Sequence, residues 1–598
     1  MKNKFLATWR LIGAYWVSED RWFGRGLLAL VITLDVLIVA RQARVTFWQK
    51  DFYDALANHD VAAFKYQLTV LAVIAAVGVV MDTARTYVFQ ALDIRWRSWM
   101  TGVFLQRWLG DHAYYRIERD RATDNADQRI AEDLNLLTTH VLELGLGLLT
   151  NIANLVTFSM LVWTLSGTIS LVLFERTVDV PGYMLWAALI YAIIGSVVME
   201  RIAGRLVNID YEQQRTEADF RFLLMRVREN AEQIALYRGH DTEQVRLRHT
   251  FAAIRNNWRA LMTYTKRITA AERFFVEVGG LMPYLLASPR YFSGHITLGG
   301  VMQLGQSFMK VRTALSWFVH KYKDLAMLRS VCRRLVEFEA AIERPPQDGI
   351  ATAATTTAVV RTVGLVLHLP DGQSLNAPLD WQVAPGQRWL LRGPSGVGKS
   401  SLLRAIAGLW RHGAGRIERD PALTTLFVPQ RSYLPLGSLR ACLCYPLDDN
   451  AFTTHQCERA LDDVGLGALH GHLAADDDWS RRLSPGEQQK LAFARVLLHR
   501  PACLFLDEAT SSLDMDSEAR LYACIIERLP GLTLVSVAHR DSLSHYHSEV
   551  LSLQALPLTA GRDEAADHDA GRIDPRAVVA AAHGGHDPLR DIPAWRPA

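Results

Sequence analysis

The chain has 598 residues, half of them apolar, with a net charge of +3 and a mean hydropathy of +0.05. This length is too great for a single hydrophobic core and predicts two or more domains. The small net charge gives no support to nucleic acid as a partner. All the cysteines lie in the second half without metal-site spacing, which indicates reduced cytosolic thiols: Cys332, Cys442, Cys444, Cys457, Cys503 and Cys524.

Residues 1–25 are predicted to form a helix that lies on the membrane surface. Phe5, Trp9, Ile12 and Trp16 recur at helical spacing, which places them on one face of a helix. A cleaved signal peptide is the alternative. The interfacial helix is favoured because tryptophans and charges interrupt the apolar run and no small-residue cleavage site follows.

Residues 26–342 are predicted to form an all-α transmembrane domain with six helices. A helix needs about 20 predominantly apolar residues to cross a bilayer, and six runs reach that length. The predicted crossings are 27–44, 67–89, 141–164, 181–202, 273–293 and 297–319. Two long connections, 90–140 and 203–272, are rich in arginine and are therefore predicted to be cytoplasmic, as are both termini. Their apolar residues at helical period predict helices that extend beyond the membrane.

Acidic residues lie in or near these crossings: Asp35, Asp82, Glu143 and Glu277. A charge at membrane depth is costly unless it faces a cavity or a partner, so each is a candidate functional residue. Asp82 and Glu143 have a second explanation, since helices that protrude into the cytoplasm would place them at hydrated helix ends. Glu277 is the preferred candidate for a residue that lines or gates a path across the membrane.

A soluble α/β domain is predicted for residues 359–555. The segment before it, 343–358, is rich in Pro, Thr and Ala and is interpreted as a linker. The segment after it, 556–598, has few large apolar residues and is predicted to be a disordered tail.

A phosphate-binding loop is predicted within this soluble domain. The apolar strand RWLLR precedes the loop and a helix follows it, which is the context that such a loop requires. Glycines allow backbone N–H groups to converge on phosphate oxygens at a helix N-terminus, where the macrodipole also favours anions. Lys399 is predicted to reach the β- and γ-phosphates, and Ser400 to hold Mg²⁺. The predicted nucleotide-binding residues here are Gly393, Pro394, Ser395, Gly396, Val397, Gly398, Lys399, Ser400 and Ser401.

Two carboxylates follow a second apolar strand, in ACLFLDEATSSLD. Continuous apolar residues predict a buried parallel strand, and such sheets bind ligands at the carboxyl ends of their strands. Asp507 is predicted to bind Mg²⁺ through water, and Glu508 to orient or deprotonate the attacking water. A helix N-cap with acidic first-turn residues would explain one carboxylate but not the pair.

Further motifs resemble those of ATP-binding-cassette ATPases. Gln430, in FVPQRS, matches the glutamine that senses the γ-phosphate and the metal and faces the membrane domain. His539, in SVAHR, matches the switch histidine that contacts the γ-phosphate, and Ser511–Asp514 match the loop that couples two sites. The resemblance implies a catalytic set of Glu508, His539 and Gln430 and a metal set of Ser400, Gln430 and Asp507.

The stretch LSPGEQQ resembles the signature of the same family. The resemblance implies that Ser484 and Gly486 contact the ATP γ-phosphate of the opposite subunit, and Glu487 belongs to the same predicted nucleotide-binding set. Pro485 replaces a usual glycine, and Glu487 replaces a usual glutamine. One loop and one signature per chain complete no site alone, so the resemblance implies a homodimer with twelve crossings that uses ATP and Mg²⁺.

The membrane half resembles a narrower group. Residues 92–117 and 125–134 are similar to a helix and loop of subfamily D, the peroxisomal acyl-CoA and lysosomal cobalamin transporters, and of bacterial SbmA/BacA-like proteins. The segment ENAEQIALYRGHDTEQ, residues 229–244, is similar to that group's cytoplasmic segment that contacts the ATPase. The resemblance implies an exporter-type (type IV) six-helix membrane domain fused to an α/β P-loop ATPase domain.

The expected function is ATP-driven transport by a homodimer in the bacterial plasma membrane, with import of hydrophilic solutes such as cobalamin or peptides preferred. Two alternatives stay open: translocation of long-chain fatty acids, acyl-CoA or lipids, and a proton-coupled carrier regulated by ATP. The predicted crossings disfavour an ATPase module that acts on DNA or in translation. The expected partners are a second copy of the chain, the bilayer and the transported molecule, with no nucleic acid.

Overall fold

The computed structural model describes residues 2–120, 123, 125–173, 176–203, 206–344, 349–356, 358–538 and 540–554. The chain separates into two compact units, Met1–Arg344 and Pro345–Ala598. We call them the helical unit and the α/β unit. Two buried apolar clusters lie in each of them, so each has the hydrophobic core that a domain requires. The predicted tail at 556–598 lies outside the described residues.

Long helices dominate the helical unit. Its helices are α1 (Lys2–Gly13), α2 (Arg21–Ala57), α3 (Val61–Leu109), α4 (Ala113–Asp120), α5 (Ala126–Gln128), α6 (Leu134–Ser166), α7 (Tyr183–Ala203), α8 (Leu206–Glu229), α9 (Ala231–Leu236), α10 (His240–Phe292), α11 (Leu298–Leu315) and α12 (Trp317–Glu343). Polar caps start two of them: the Asp60 carboxylate accepts from the Ala63 N–H, and the Thr297 hydroxyl accepts from the Gly300 N–H. Both predicted connections are mainly helical.

The six predicted crossings fall on α2, α3, α6, α7, α10 and α11. Within the described residues, three helical stretches are long and apolar enough to span a bilayer: Arg21–Ala57, Val61–Asp120 and Ala126–Ser166. Tyr183–Met199 is apolar but shorter. Helices α10 and α11 do not reach the same mean hydropathy because they carry charged and amide side chains, among them Glu277, Gln303 and Lys310.

The helical unit was predicted to be all-α, but it also contains two strands. A hairpin of two antiparallel strands, β1 (Thr168–Leu173) and β2 (Arg176–Pro181), lies between α6 and α7. These residues are rich in Val, Ile and Thr, which favour strands. Gly167 and Gly182, both with positive φ, close its base, where the Gly182 N–H donates to the Gly167 carbonyl at 2.8 Å.

Helix α1 and the turn after it pack partly against the helical core. Tyr15 is fully buried, and its ring stacks on Trp96 with the centroids 5.7 Å apart. Trp16 also contacts Trp96, so the predicted aromatic stripe does not form one outward face. The helix ends at Gly13, and Trp16 therefore falls in the following 3₁₀ turn. Trp9 remains 59% exposed, and the interfacial helix stays a prediction.

The α/β unit contains short helices and strands in alternation. Its strands are β3 (Ala351–Ala354), β4 (Val360–Leu367), β5 (Leu379–Val383), β6 (Arg388–Arg392), β7 (Gly413–Arg419), β8 (Thr425–Val428), β9 (Gly437–Ser438), β10 (Asp476–Asp477), β11 (Cys503–Asp507), β12 (Thr533–Val537) and β13 (Glu549–Ser552). Its helices are α13 (Lys399–Ile406), α14 (Leu439–Cys444), α15 (Thr454–Asp463), α16 (Trp479–Arg482), α17 (Pro485–His499) and α18 (Met515–Arg528).

A parallel sheet of five strands, in the order β13-β6-β12-β11-β8, forms the centre of this unit. Strand β12 is buried along its whole length and β11 along nearly all of it, as expected for parallel strands covered on both faces. Because all five strands run the same way, the segments that follow β6, β8, β11 and β12 emerge at one edge.

The predicted linker is not wholly extended loop. Residues Ala351–Ala354 form β3, which pairs in parallel with β7 in a second, four-stranded sheet of order β3-β7-β4-β5. Its sequence of alanines and threonine was interpreted as linker composition, but main-chain pairing with β7 needs no large side chain. Ile350, just before the strand, is buried in the core of the α/β unit.

Candidate functional site

The predicted phosphate loop lies between β6 and α13. Gly393, Gly396 and Gly398 have φ values of 150°, 84° and 93°, a region that only glycine adopts readily. A Cβ atom at Gly393 would lie 2.6 Å from the Leu553 carbonyl oxygen, so a side chain there is also excluded by packing. These residues produce a curled backbone that opens at the N-terminus of α13, which is the geometry of an anion site.

Lys399, the first residue of α13, is folded over this loop. Its Nζ donates to the carbonyl oxygens of Gly393 and Pro394 at 2.8 and 3.0 Å. Burial lowers the pKa of Lys399, and the nearby carboxylates of Glu508 and Asp507 act in the opposite direction. The ammonium group is thus held inside the loop, at the position where an incoming phosphate would be met.

Ser400 and Asp507 are joined across 107 residues of sequence. The Ser400 hydroxyl donates to Asp507 Oδ1 at 2.8 Å, at the point where β11 ends. Burial raises the pKa of Asp507, while the Ser400 hydrogen bond and the cations Arg404 and Lys399 lower it. A hydroxyl and a carboxylate oxygen are ligand types that Mg²⁺ accepts, so this donor set fits the predicted metal site.

Glu508 and Gln430 also meet at this edge. The side-chain amide of Gln430, which follows β8, donates to Glu508 Oε2 at 3.2 Å. Glu508 has a φ of 49°, and its N–H donates to the Val537 carbonyl at 3.1 Å. A glutamate in the left-handed region is uncommon and is kept there by its surroundings, as is often found at functional sites.

The predicted switch histidine, His539, lies outside the described residues. Its neighbour Arg540 follows β12 and donates to the Leu513 carbonyl at 2.9 Å. Arg540 also contacts the buried carboxylate of Glu518, which accepts a hydrogen bond from the Thr510 hydroxyl. These contacts tie the segment after β12 to the Ser511–Asp514 loop after β11.

The signature stretch forms the N-terminus of α17. Ser484 is the N-cap: its hydroxyl accepts from the Glu487 N–H at 3.3 Å, and the Glu487 carboxylate accepts from the Ser484 N–H at 2.9 Å. This is a capping box, with Pro485 at the first helical position, where the missing N–H costs no intrahelical bond. The pKa of Glu487 is lowered, mainly by the hydrogen bond that its carboxylate accepts from the Ser484 hydroxyl. The two departures from the usual signature therefore make a well-capped helix.

Gln489, which the sequence did not single out, connects α17 to the loop after β11. Its amide donates to the Ser511 hydroxyl at 3.2 Å, and its carbonyl oxygen accepts from the Ser512 N–H at 3.0 Å. It is 5% exposed. Gly486 lies beside the same loop, since a Cβ there would be 3.4 Å from the Ser512 carbonyl. In the sequence, Gln489 is distinguished only as a second glutamine directly after Gln488.

The structure therefore brings together one group of predicted residues and leaves a second group apart. Lys399, Ser400, Gln430, Asp507 and Glu508 lie at the carboxyl edge of the parallel sheet. Ser484 and Glu487 bond to each other, and within the described part of the chain no hydrogen bond links them to the phosphate loop.

Comparison with known proteins agrees with this architecture. Residues 12–292 match the family model described as ABC transporter transmembrane region 2, and residues 377–511 match the family model described as ABC transporter. The ABC transporter D family member 2 of Arabidopsis thaliana is 32% identical, over 97% of this chain and 91% of its own length. The chain belongs to the D family of ABC transporters.

Two further comparisons place this D-family transporter. The lysosomal cobalamin transporter ABCD4 of Homo sapiens is 28% identical over 92% of this chain and 94% of its own length. A solved bacterial Atm1-family ABC exporter with ATP bound superimposes with a TM-score of 0.70, covering 89% of this chain and 94% of that one at 19% identity. The second likeness shows the fold alone and confirms the predicted exporter-type architecture.

In the membrane region of the transporter, two of the predicted acidic residues form ion pairs between helices. Asp35 on α2 accepts from Arg85 Nε on α3 at 3.0 Å, and Asp82 on α3 pairs with Arg41 on α2 at 2.9 Å. Asp82 therefore has a cationic partner on the neighbouring helix while its side chain is 54% exposed, and its placement at a hydrated helix end stays a prediction. The sequence did not single out either arginine.

The other two acidic candidates lie in different surroundings. Glu143 is 3.9 Å from His140 on the same helix, α6. Glu277 is exposed on α10 and makes no hydrogen bond or ion pair within the described part of the transporter. A role for Glu277 in lining or gating the path stays a prediction.

Proposed function

We propose that this transporter is a homodimer of the bacterial plasma membrane that uses ATP hydrolysis to import hydrophilic solutes such as cobalamin or peptides. The α/β unit and both termini are assigned to the cytoplasm, because arginine-rich connections favour the cytoplasmic side. The name of the human relative, a cobalamin transporter similar over nearly the whole chain, supports the choice of cargo.

The observation that carries this proposal is the polar character of the predicted crossings. Asp35, Arg41, Asp82 and Arg85 all lie within predicted spans and bond between helices. Charged side chains in membrane helices are costly and face cavities, partners or water-filled paths. A path with such groups suits a hydrophilic cargo better than an apolar chain.

The nucleotide chemistry follows from the residues at the sheet edge. The loop N–H groups and Lys399 would bind the phosphates, and Ser400, Gln430 and Asp507 would hold Mg²⁺, which would neutralise phosphate charge. Glu508 would orient the attacking water and accept its proton. Gln430, hydrogen-bonded to Glu508, would sense the γ-phosphate and the metal, and His539 would contact the γ-phosphate.

Dimerisation follows from the separation of the two groups of residues. The phosphate loop and the signature of one chain are each half of a site, so closure requires a second copy placed head to tail. ATP then joins the two α/β units, and residues 229–244, which include α9, transmit that closure to the membrane helices. Hydrolysis through Glu508 resets the cycle.

Translocation of long-chain fatty acids, acyl-CoA or lipids is the second candidate. A cavity of about 100 Å³ lies between α7, α10 and α11, where Tyr191, Phe275 and Met199 give it an apolar lining beside Arg312. Its largely apolar lining favours an acyl chain over a hydrophilic cargo.

A proton-coupled carrier regulated by ATP is the third candidate, because the paired membrane carboxylates are groups that proton relays use. The discriminating experiment is uptake of labelled cobalamin, a cationic peptide and a long-chain acyl-CoA into proteoliposomes, with ATP on the side of the α/β unit. Wild type is compared with Glu508→Gln, and with Glu549→Gln as an exposed control of the same chemistry.

The import proposal expects cobalamin or peptide to accumulate with wild type and with Glu549→Gln. In Glu508→Gln, ATP hydrolysis should fall by about 10² to 10⁴, the usual contribution of a general base, and uptake should fall with it. Uptake that persists in Glu508→Gln under a proton gradient would support the proton-coupled carrier. Movement of acyl-CoA alone would support the second candidate.

A further inference from the structure

A third polar contact lies beside the two ion pairs in the predicted crossings. Lys310, on α11, donates from Nζ to the side-chain carbonyl of Gln42, on α2, at 2.8 Å. Gln42 is the neighbour of Arg41, and Arg41 is close enough to Lys310 to act on it electrostatically. Lys310 lies within the predicted crossing 297–319, and Gln42 lies within 27–44. A second cation thus lies next to the Arg41–Asp82 pair.

The charges of this cluster do not balance. Asp82 compensates Arg41 and Asp35 compensates Arg85, each with one carboxylate for one guanidinium. Lys310 has only an amide oxygen as its partner, and none of the described residues offers it a carboxylate. An ammonium group within a membrane segment is costly without a counter-charge, so the site lacks one anion.

Several buried polar atoms on α2 and α11, the helices that carry Gln42 and Lys310, lack hydrogen-bond partners among the described residues. Gln303 is two turns before Lys310 on α11 and fully buried, yet within the described residues neither its amide nitrogen nor its carbonyl oxygen has a partner. On α2, Arg41 Nε and Gln49 Oε1 are also buried without partners among those residues. Buried polar groups are normally paired, so these atoms on α2 and α11 have unmet hydrogen-bonding capacity.

A glycine makes room for the cation cluster. Arg41 lies across Gly78 of α3, where a Cβ atom would collide with its guanidinium. Any side chain at this position would displace Arg41 from Asp82. The Arg41 guanidinium occupies this space and bonds to Asp82, while the Lys310 ammonium group, which uses one N–H for Gln42, keeps two for another acceptor.

We propose that Lys310, supported by Arg41, forms a subsite that receives an oxyanion of the transported molecule, a phosphate or carboxylate. This inference rests on the proposed transport function and narrows its cargo. Charge-assisted bonds from an ammonium and a guanidinium suit such an anion. A phosphodiester, as in cobalamin, or the phosphates of acyl-CoA would supply the missing charge, whereas a cationic peptide would be repelled.

The test is equilibrium binding to the full-length transporter in phosphatidylcholine nanodiscs, with saturating ADP to block the nucleotide site. Two matched pairs of probes differ by a single phosphate group: cobinamide phosphate against cobinamide, and S-palmitoyl-4′-phosphopantetheine against S-palmitoyl-pantetheine. The variants are Lys310→Gln, the conservative Lys310→Arg, and Lys266→Gln, which removes an exposed lysine of α10 in the predicted cytoplasmic connection.

At least one phosphate-bearing probe is expected to bind wild type about tenfold to hundredfold more tightly than its phosphate-free partner. Lys310→Gln should remove most of that preference, while Lys310→Arg and Lys266→Gln should keep it. Wild type that shows no preference in either pair overturns the proposal. A preference that survives in Lys310→Gln also overturns it, because other residues must then bind the phosphate.

A final experiment tests whether the Lys310 subsite binds the transported molecule or a lipid headgroup. Phosphatidylglycerol added to the discs should leave probe binding unchanged. Thermal stabilisation by that lipid, lost in Lys310→Gln, together with displacement of the probes, would make a lipid headgroup the occupant and overturn the cargo assignment. If phosphate binding depends on Lys310 but uptake does not require Glu508, the transport proposal fails while this subsite stands.

Discussion

The two units differ in what positions their polar side chains: a glycine-rich loop in the α/β unit, and the packing of long helices in the helical unit. In the α/β unit, Lys399 bonds to carbonyls five and six residues away, in a loop whose shape is set by glycines. In the helical unit, bonded partners are 41, 50 and 268 residues apart in sequence, on α2, α3 and α11. The phosphate loop can be recognised in a sequence, and its long-range partners, such as Asp507 for Ser400, follow from the ends of parallel strands. Contacts between side chains of separate helices depend instead on how the helices pack.

The units also differ in how they compensate charge. At the phosphate loop, the positive charge of Lys399 is compensated by two carboxylates, those of Asp507 and Glu508. In the predicted crossings of the helical unit, Asp35 and Asp82 each pair with one arginine. Removal of a single member should therefore have its largest effect on stability in the helical unit, because no second partner is present to compensate.

The sharpest test of this difference is Asp35→Asn. The Asp35 side chain is 10% exposed and that of Arg85 is 30% exposed, so the change leaves Arg85 without its counter-charge in a part-buried position. The expected loss is about 3–5 kcal/mol in the free energy of unfolding, measured in mixed micelles with increasing SDS. Adding Arg85→Gln should recover much of the loss, since the double variant buries no unpaired charge.

Asp82→Asn is the matched control, because the Asp82 side chain is 54% exposed. Removing Asp82 should cost less than removing Asp35, because less of the Asp82 carboxylate is desolvated in its ion pair. Equal losses for Asp35→Asn and Asp82→Asn would show that burial does not set the value of these pairs, and the contrast between the units would have to be abandoned.

Sequence reasoning was most successful where main-chain geometry decides the site. Ser400 and Asp507 were assigned to one metal site, and the structure joins them by a hydrogen bond. Gln430 and Glu508 follow neighbouring parallel strands, so their meeting at one sheet edge follows from the topology. The ABC family and the exporter-type fold could likewise be predicted from short motifs and apolar runs.

Features that depend on packing were not recognised in the sequence. Gln489 joins α17 to the Ser511–Asp514 loop, but nothing in its local sequence distinguishes it from Gln488. Arg41 and Arg85 find their carboxylates only once the rotation of α2 against α3 is fixed. Strand β3 was interpreted as linker because its pairing with β7 uses main-chain atoms that carry no sequence signal.

Gln489→Ala tests whether the α/β unit also depends on a long-range side-chain contact. The substitution leaves the Ser512 N–H without its acceptor in a part-buried position, which should cost about 1–3 kcal/mol of stability. Movement of the Ser511–Asp514 loop should lower ATP turnover more than ATP affinity, measured by steady-state hydrolysis. Gln488→Ala, whose amide reaches only the carbonyls of Ser480 and Leu483, is the control. Similar turnover in both variants would contradict a coupling role for Gln489.

The smallest expected effect separates the two roles of Ser484, which caps α17 and is proposed to contact ATP in the second subunit. Ser484→Ala removes the hydroxyl of the capping box and should cost about 0.5–2 kcal/mol in thermal or urea unfolding. Ser484→Thr keeps a hydroxyl that can cap but adds a methyl group at the proposed phosphate contact. Threonine should therefore preserve stability while ATP turnover falls, whereas alanine should lower both. If the threonine variant also keeps its ATP turnover, Ser484 acts only as the cap of α17 and does not contact ATP in the second subunit.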